Sequence, residues 1–370
     1  MKIWPRRWAW GWDSMRSMAT EHYLSSRRRA GKDACVWLDA QGRVKATLSL
    51  PARGHSFALY APRGQRQPGA VVFGRQPGFF ALAFDLPPDN AQEHVALQAQ
   101  PLPLPAGHHF YGHGVYAPDG HTLYATENDY VHARGVIGVY DMRPGHACTR
   151  VGEFDSGGIG PHEILLLADG QTLCVANGGL QTHPDFGKTI LNAAAIKSSL
   201  VYLNRHTGRI VAAHPVTTPQ LSLRHLALDG AGGVWAGCQY VNADGQRPAL
   251  VWRHEIGQDL QPAPCPVEAQ RGLRNYVGSM TVNRRGNIVA ASSPVGGRVL
   301  FWAVGTAHTP PRLLDEVALP DVCGLAPWGE TGFLLSSGHG VLLRYEPLQR
   351  AGSLVAQDGA AAWDNHLRLL

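Results

Sequence analysis

The sequence predicts an all-β fold, a seven-bladed β-propeller. Three observations predict it: a strand–turn–strand unit recurs roughly every fifty residues, Gly and Pro separate many short apolar runs, and the last strand-like segment supplies the strand that the first unit lacks. The clearest copy of the unit runs from Gly107 to Gly120, a strand ending in the Pro118-Asp119-Gly120 turn, and returns through Thr122–Asp129 to a polar cluster. With 43 Gly and 26 Pro in 370 residues, one large all-β unit fits better than two small domains.

Taken in order, the first unit holds Tyr23–Ser26, Ala34–Asp39 and Val44–Leu48. The second opens at Arg53–Leu59 and continues through Ala70–Phe73, Phe79–Asp85 and His94–Leu97. Val136–Asp141 and Arg150–Phe154 complete the third. Gly160–Leu165, a turn at Ala168-Asp169-Gly170 and Leu200–Leu203 mark the fourth. The remaining three open at Leu223, Tyr276 and Asp321. Nothing before His22 reads as a strand, whereas Asn365–Leu370 matches the opening strand of the fifth unit, Arg224–Leu228. The C-terminal segment is therefore expected to be the innermost strand of blade 1 and to close the ring, which removes an exposed edge.

Residues 1–21 are read as a leader or disordered N-terminal segment, and 22–370 as the single propeller domain. Arg6-Arg7 forms a twin arginine, but Asp13, Arg16 and Glu21 interrupt the apolar run that an export signal needs. No apolar span approaches the length of a transmembrane helix, roughly twenty residues. Charged residues make up only 16% of the chain, and the net charge of +5 is concentrated in runs such as Arg27-Arg28-Arg29, which argues against nucleic-acid binding. No glycine-rich loop opens a helix to hold a nucleotide phosphate, and no Gly-x-Ser-x-Gly elbow is present. The six cysteines lack a C-x-x-C pair; Cys174 and Cys238 lie within apolar strands and read as buried free thiols.

The 18 histidines carry the functional signal. Alignment of the units on their inner strands puts His366, His55, His113, His162 and His225 at one position in five successive blades, with Ser279 and Val322 or Cys323 in the other two. Inner strands crowd around the axis of a propeller, so these imidazoles are expected to converge on one rim. Imidazole suits iron, copper, zinc or nickel. Glu127 and Glu163 are candidates for an oxygen ligand or an orienting carboxylate, and Arg224 for tuning the local charge. At most one of His108 and His109 is expected to join them, because neighbouring strand residues face opposite ways. The competing interpretation is that each histidine only bonds the strand-entry loop of its neighbour.

The runs Gly107–Gly114, Tyr124–Asp129, Ser156–Glu163, Val175–Gly179 and Trp363–Leu367 resemble the bacterial family catalogued as domain of unknown function 1513, over about residues 22–370. The resemblance implies a seven-bladed, quinoprotein-like or YVTN-like propeller, export to the periplasm by a twin-arginine signal, and encoding near imelysin-like iron-uptake lipoproteins and di-haem peroxidase-like proteins. This chain departs from the family in its leader, where the apolar region is missing. The expected function is binding of a transition metal (iron or copper) or a metal chelate at the axial pocket, in iron acquisition or handling. Two alternatives stand beside it: an oxidoreductase or lactonase-like hydrolase using the same rim, and a scaffold that docks an imelysin-like partner.

Overall fold

Short apolar strands in this chain are buried on both faces, because each blade is covered by its two neighbours. Thr172–Asn177 is buried along all but its first residue, and Ile288–Ser293 along its whole length. Outer strands behave differently. Thr149–Asp155 alternates exposed and half-buried residues, as an edge facing water on one side should. The computed structural model describes residues 21–60, 68–75, 78–88, 95–187, 189–306 and 309–370. The expected leader therefore lies outside the described residues except for Glu21, whose carboxylate accepts hydrogen bonds from Arg284 and the Gly329 amide.

Seven sheets form the blades, antiparallel throughout except for one short parallel pair at the outer edge of blade 1. Their inner strands are Ala361–Leu369 (blade 1), Gly54–Tyr60 (blade 2), His108–Tyr116 (blade 3), Pro161–Leu166 (blade 4), Leu221–Leu228 (blade 5), Ser279–Val282 (blade 6) and Val322–Trp328 (blade 7). Each inner strand contacts the next, and blade 7 returns to blade 1, so the seven make a closed ring. Closure is by the chain's last strand as expected: Ala361–Leu369 pairs antiparallel with His22–Arg29, Tyr23 opposite Leu369. One strand assignment is corrected. Val95–Ala96 pairs parallel with Val44–Ser49 in blade 1, and the outermost strand of blade 2 is the two-residue Gln100–Pro101; the Pro-rich run that follows leaves this blade a minimal edge.

The apolar core lies between blades. Trp235 of blade 5 packs near Trp302 of blade 6 with ring centroids 6.2 Å apart, and Phe301 of blade 6 meets Phe333 and Tyr345 of blade 7. Tight turns repeat with the blades. In blade 3 the Gly120 amide donates to Ala117 O while Asp119 Oδ1 accepts from the amides of His121 and Thr122. Blade 4 repeats this with Gly170, Leu167, Asp169, Gln171 and Thr172. Both glycines have positive φ, 70° and 64°, where a side chain is disfavoured. All six cysteines are free. Among the described residues, no helix is long and apolar enough to cross a membrane.

Candidate metal centre on the propeller axis

The inner strands do not run straight past the axis. Where blade 2 holds His55, its pairing with the second strand slips between Gly54 and Phe57. Blade 3 slips between Phe110 and Gly114, around His113. Blade 4 slips between Pro161 and Glu163, around His162; blade 5 slips between Leu223 and His225; blade 1 slips between Trp363 and Leu367, around His366. A bulge leaves its extra residues out of the ladder and re-aims their side chains. Every histidine-bearing blade thus has a bulge at or next to the histidine; blade 7, which offers Cys323, slips in the same place between Val322 and Leu325, and blade 6, which offers Ser279, pairs without a slip.

These bulges bring the five expected histidines together. His55, His113, His162, His225 and His366 are each between 1% and 8% exposed, so none is an ordinary solvated histidine. Ring centroids lie 4.6 Å apart for His55 and His366, 4.7 Å for His113 and His366, 4.8 Å for His162 and His225, and 5.1 Å for His113 and His162. Two overlapping sets, His55 with His113 and His162, and His113 with His225 and His366, have donor atoms within 4.8 Å of one another. The Nε2 atoms of His113 and His366 are 3.1 Å apart. Two nitrogens bound to one ion at about 2.0–2.1 Å stand roughly 2.9–3.4 Å apart at tetrahedral or octahedral angles, so this spacing fits a shared ion. Gly112, with φ of 107°, makes the room: a Cβ there would lie 2.5 Å from His55 Cδ2.

Charged groups flank the imidazoles on two sides. Asp364 Oδ1 is 3.6 Å from His55 Nδ1 and 3.3 Å from Arg75, and Asp364 also accepts a hydrogen bond from Arg53. Glu163 Oε2 accepts from the Leu226 amide at 3.0 Å and lies 3.3 Å from His225 Nδ1 and 3.7 Å from His113 Nε2. Its Oε1 accepts from Arg368 at 2.9 Å, a contact between blades 4 and 1 across the axis. Arg224 donates to Gln239 Oε1 at 2.9 Å.

Glu163 and Arg224 therefore adjoin the cluster, and Glu127 does not. Glu127 accepts from Tyr140 at 2.6 Å and Arg150 at 2.9 Å, with His108 Nδ1 at 3.2 Å, all within blade 3. Its neighbour Thr126 fills the His113 bulge, with its Oγ1 bonded to the His113 backbone, and alternation turns Glu127 the other way. Neither His108 nor His109 enters the two histidine sets; His109 is held by Asn128 and Phe110 O. His183 caps a short 3₁₀ turn and packs on Tyr130. Asp364, Arg53 and Arg368 were not anticipated. Asp364 and Arg368 each lie two residues from His366, a spacing that on an even strand places side chains on one face, and that was the available signal.

Burial holds the imidazoles neutral, the form that binds metal. It lowers His55 to about 4, against a partial upward pull from Asp364, and drives His113, His162 and His366 well below the ordinary histidine value. His225 is also lowered by burial, with Glu163 opposing. Burial alone would raise the two carboxylates, but His113, His225 and Arg368 hold Glu163 low, and His55, Arg75 and Arg53 hold Asp364 at about 2.

The folded protein thus binds these histidine protons less readily than the unfolded chain. Stability of the metal-free protein is full above pH 6.5, the ordinary histidine value, and falls as pH drops through the window to about 4. For His55 alone the loss is about 3 kcal/mol. Urea midpoints of the metal-free protein should fall steeply from pH 7 to pH 4.5; a flat profile would mean that the five imidazoles are not buried neutral.

No curated protein matches this chain. Its fold is similar to that of the periplasmic gluconolactonase of Pseudomonas aeruginosa, at 16% identity and a TM-score of 0.62 over 95% of this chain and 99% of that one. It is also similar to hydrazine synthase from Kuenenia stuttgartiensis, at 15% identity and a TM-score of 0.56 over 90% of this chain and 91% of that one. At these identities the likeness establishes architecture alone. Residues 48–370, nearly the whole propeller and all five axial histidines, match one protein family, and the chain belongs to it: protein of unknown function, DUF1513.

Proposed function

We propose that this propeller binds a transition metal, iron first and copper second, or a chelate of such a metal, in the histidine-lined pocket on its axis. Its place would be the periplasm and its role iron acquisition or handling, with imelysin-like iron-uptake proteins as partners, as the family resemblance suggests. The observation that carries the reading is the convergence of five buried imidazoles from successive blades. A purely structural histidine satisfies its nitrogens within the protein, as His109 does. Here the Nδ1 atoms of His113 and His162 are buried with no hydrogen-bond partner, and that of His55 has only Asp364 Oδ1, at 3.6 Å, an arrangement that costs stability and suits a ligand.

A second reading, an oxidoreductase or lactonase-like hydrolase, draws support from the same geometry. If fewer than five imidazoles bind the ion, positions remain for water or substrate, and a gluconolactonase shares this architecture.

The test is metal content by mass spectrometry after purification without a histidine tag, for the wild type and a His113→Ala, His162→Ala double variant whose circular dichroism is unchanged. Near-stoichiometric iron or copper in the wild type, lost in the variant, is expected. A protein that stays metal-free after incubation with iron, copper and zinc, under reducing and oxidising conditions, would overturn the reading and favour a docking scaffold.

A further inference from the structure

The charge around the five imidazoles is unbalanced in the sense opposite to what a bare cation needs. Arg53 and Arg75 share the single carboxylate of Asp364. Arg368 is matched by Glu163. Arg224, immediately before His225, has Gln239 as its side-chain partner and no carboxylate partner among the described residues, and its Nε is buried without a hydrogen bond. Four guanidiniums thus meet two carboxylates. A guanidinium does not shed its proton, and neutral imidazoles add nothing to the anionic side. A divalent or trivalent ion would enter a surround whose charge is already positive, screened by water at Arg53, whose side chain is 44% exposed, and least screened at the buried Nε of Arg224.

We propose that the site takes its metal together with an oxyanion of the carboxylate or carbonate class, one oxygen on the metal and another accepting from Arg224. This rests on the metal-binding reading above and specifies its ligand. A planar guanidinium offers paired N–H donors that match the two oxygens of such an anion. Arg224 is half-buried and stands next to His225 in the chain, at the strand slip between Leu223 and His225, and its charge disfavours protonation of His162 and His225. The anion neutralises the excess that the metal would otherwise meet, so each tightens the binding of the other by the same factor. It has two possible sources, a small free anion or the carboxylates of a chelate that carries the metal in.

The experiment is calorimetric titration of the metal-free full chain with Cu(II) at constant ionic strength, in perchlorate, in perchlorate with bicarbonate, and as preformed copper citrate. For the wild type, bicarbonate should tighten copper binding by at least about tenfold over perchlorate. Arg224→Gln should abolish that difference, and Arg224→Lys should restore part of it, with thermal unfolding confirming that both variants fold. Retention of citrate with copper in equal amounts, without a bicarbonate effect, would also support the proposal and assign the anion to a chelate. Equal copper affinity in all three media with no anion retained would overturn the inference and leave metal binding intact. Absence of copper binding in every medium, and of iron binding in the same three media, would instead remove the metal-binding reading itself.

Discussion

His113→Ala is expected to empty the proposed metal site by itself. His113 is the one residue common to both three-histidine sets, and its ring lies within 5.9 Å of the other four, centroid to centroid. Loss of a partner outside the coordination sphere typically weakens a metal by about 10–100-fold, and loss of a ligand shared by both sets should exceed that range. His55→Ala and His225→Ala should be milder, because each leaves one complete set. Competition against a chelating dye measures all three. Equal losses at every position would point to one ion shared by five ligands; an unchanged affinity in the His113 variant would exclude the axial site.

Glu163→Ala should produce the largest loss of stability. The carboxylate is buried and ionised, and its removal leaves the Arg368 guanidinium across the axis without its counter-charge. Breaking such a pair from one side costs about 3–5 kcal/mol, much of it from the stranded charge. The double variant Glu163→Ala, Arg368→Ala should recover part of the loss, since no lone charge remains. Denaturant unfolding of the two single variants and the double variant in the metal-free state gives the coupling directly. Strict additivity would show that Arg368 finds water or another partner once Glu163 is gone.

The architecture was legible because the repeat is written in residues whose backbone demands are local. Pro118-Asp119-Gly120 and Ala168-Asp169-Gly170 fix their turns whatever surrounds them. The Asn365–Leu370 segment resembled an inner strand closely enough to reveal how the ring closes. The five histidines were found by the same register. Glu127 was misplaced because the end of a strand can be read from sequence while the facing of its residues, after a slip at the His113 bulge, cannot. His94–Leu97 was given to the wrong blade because two-residue outer strands have too few side chains to show a pattern. His94 itself lies outside the described residues. The contact between Glu163 and Arg368 joins residues 205 positions apart, a separation over which nothing in the local sequence speaks.

The strand that closes the ring also has a bearing on biosynthesis. Ala361–Leu369 follows every other blade in the chain, yet it carries His366 and both flanking charges, Asp364 and Arg368. A polypeptide emerging from the ribosome can fold blades 2 to 7 in sequence and still present only four of the five imidazoles, with Glu163 lacking its cation. The centre becomes whole only when the final strand docks beside His22–Arg29, so an ion cannot be captured in its mature setting by an unfinished chain. On the metal-binding proposal, loading in that setting therefore follows completion of the fold and cannot precede it.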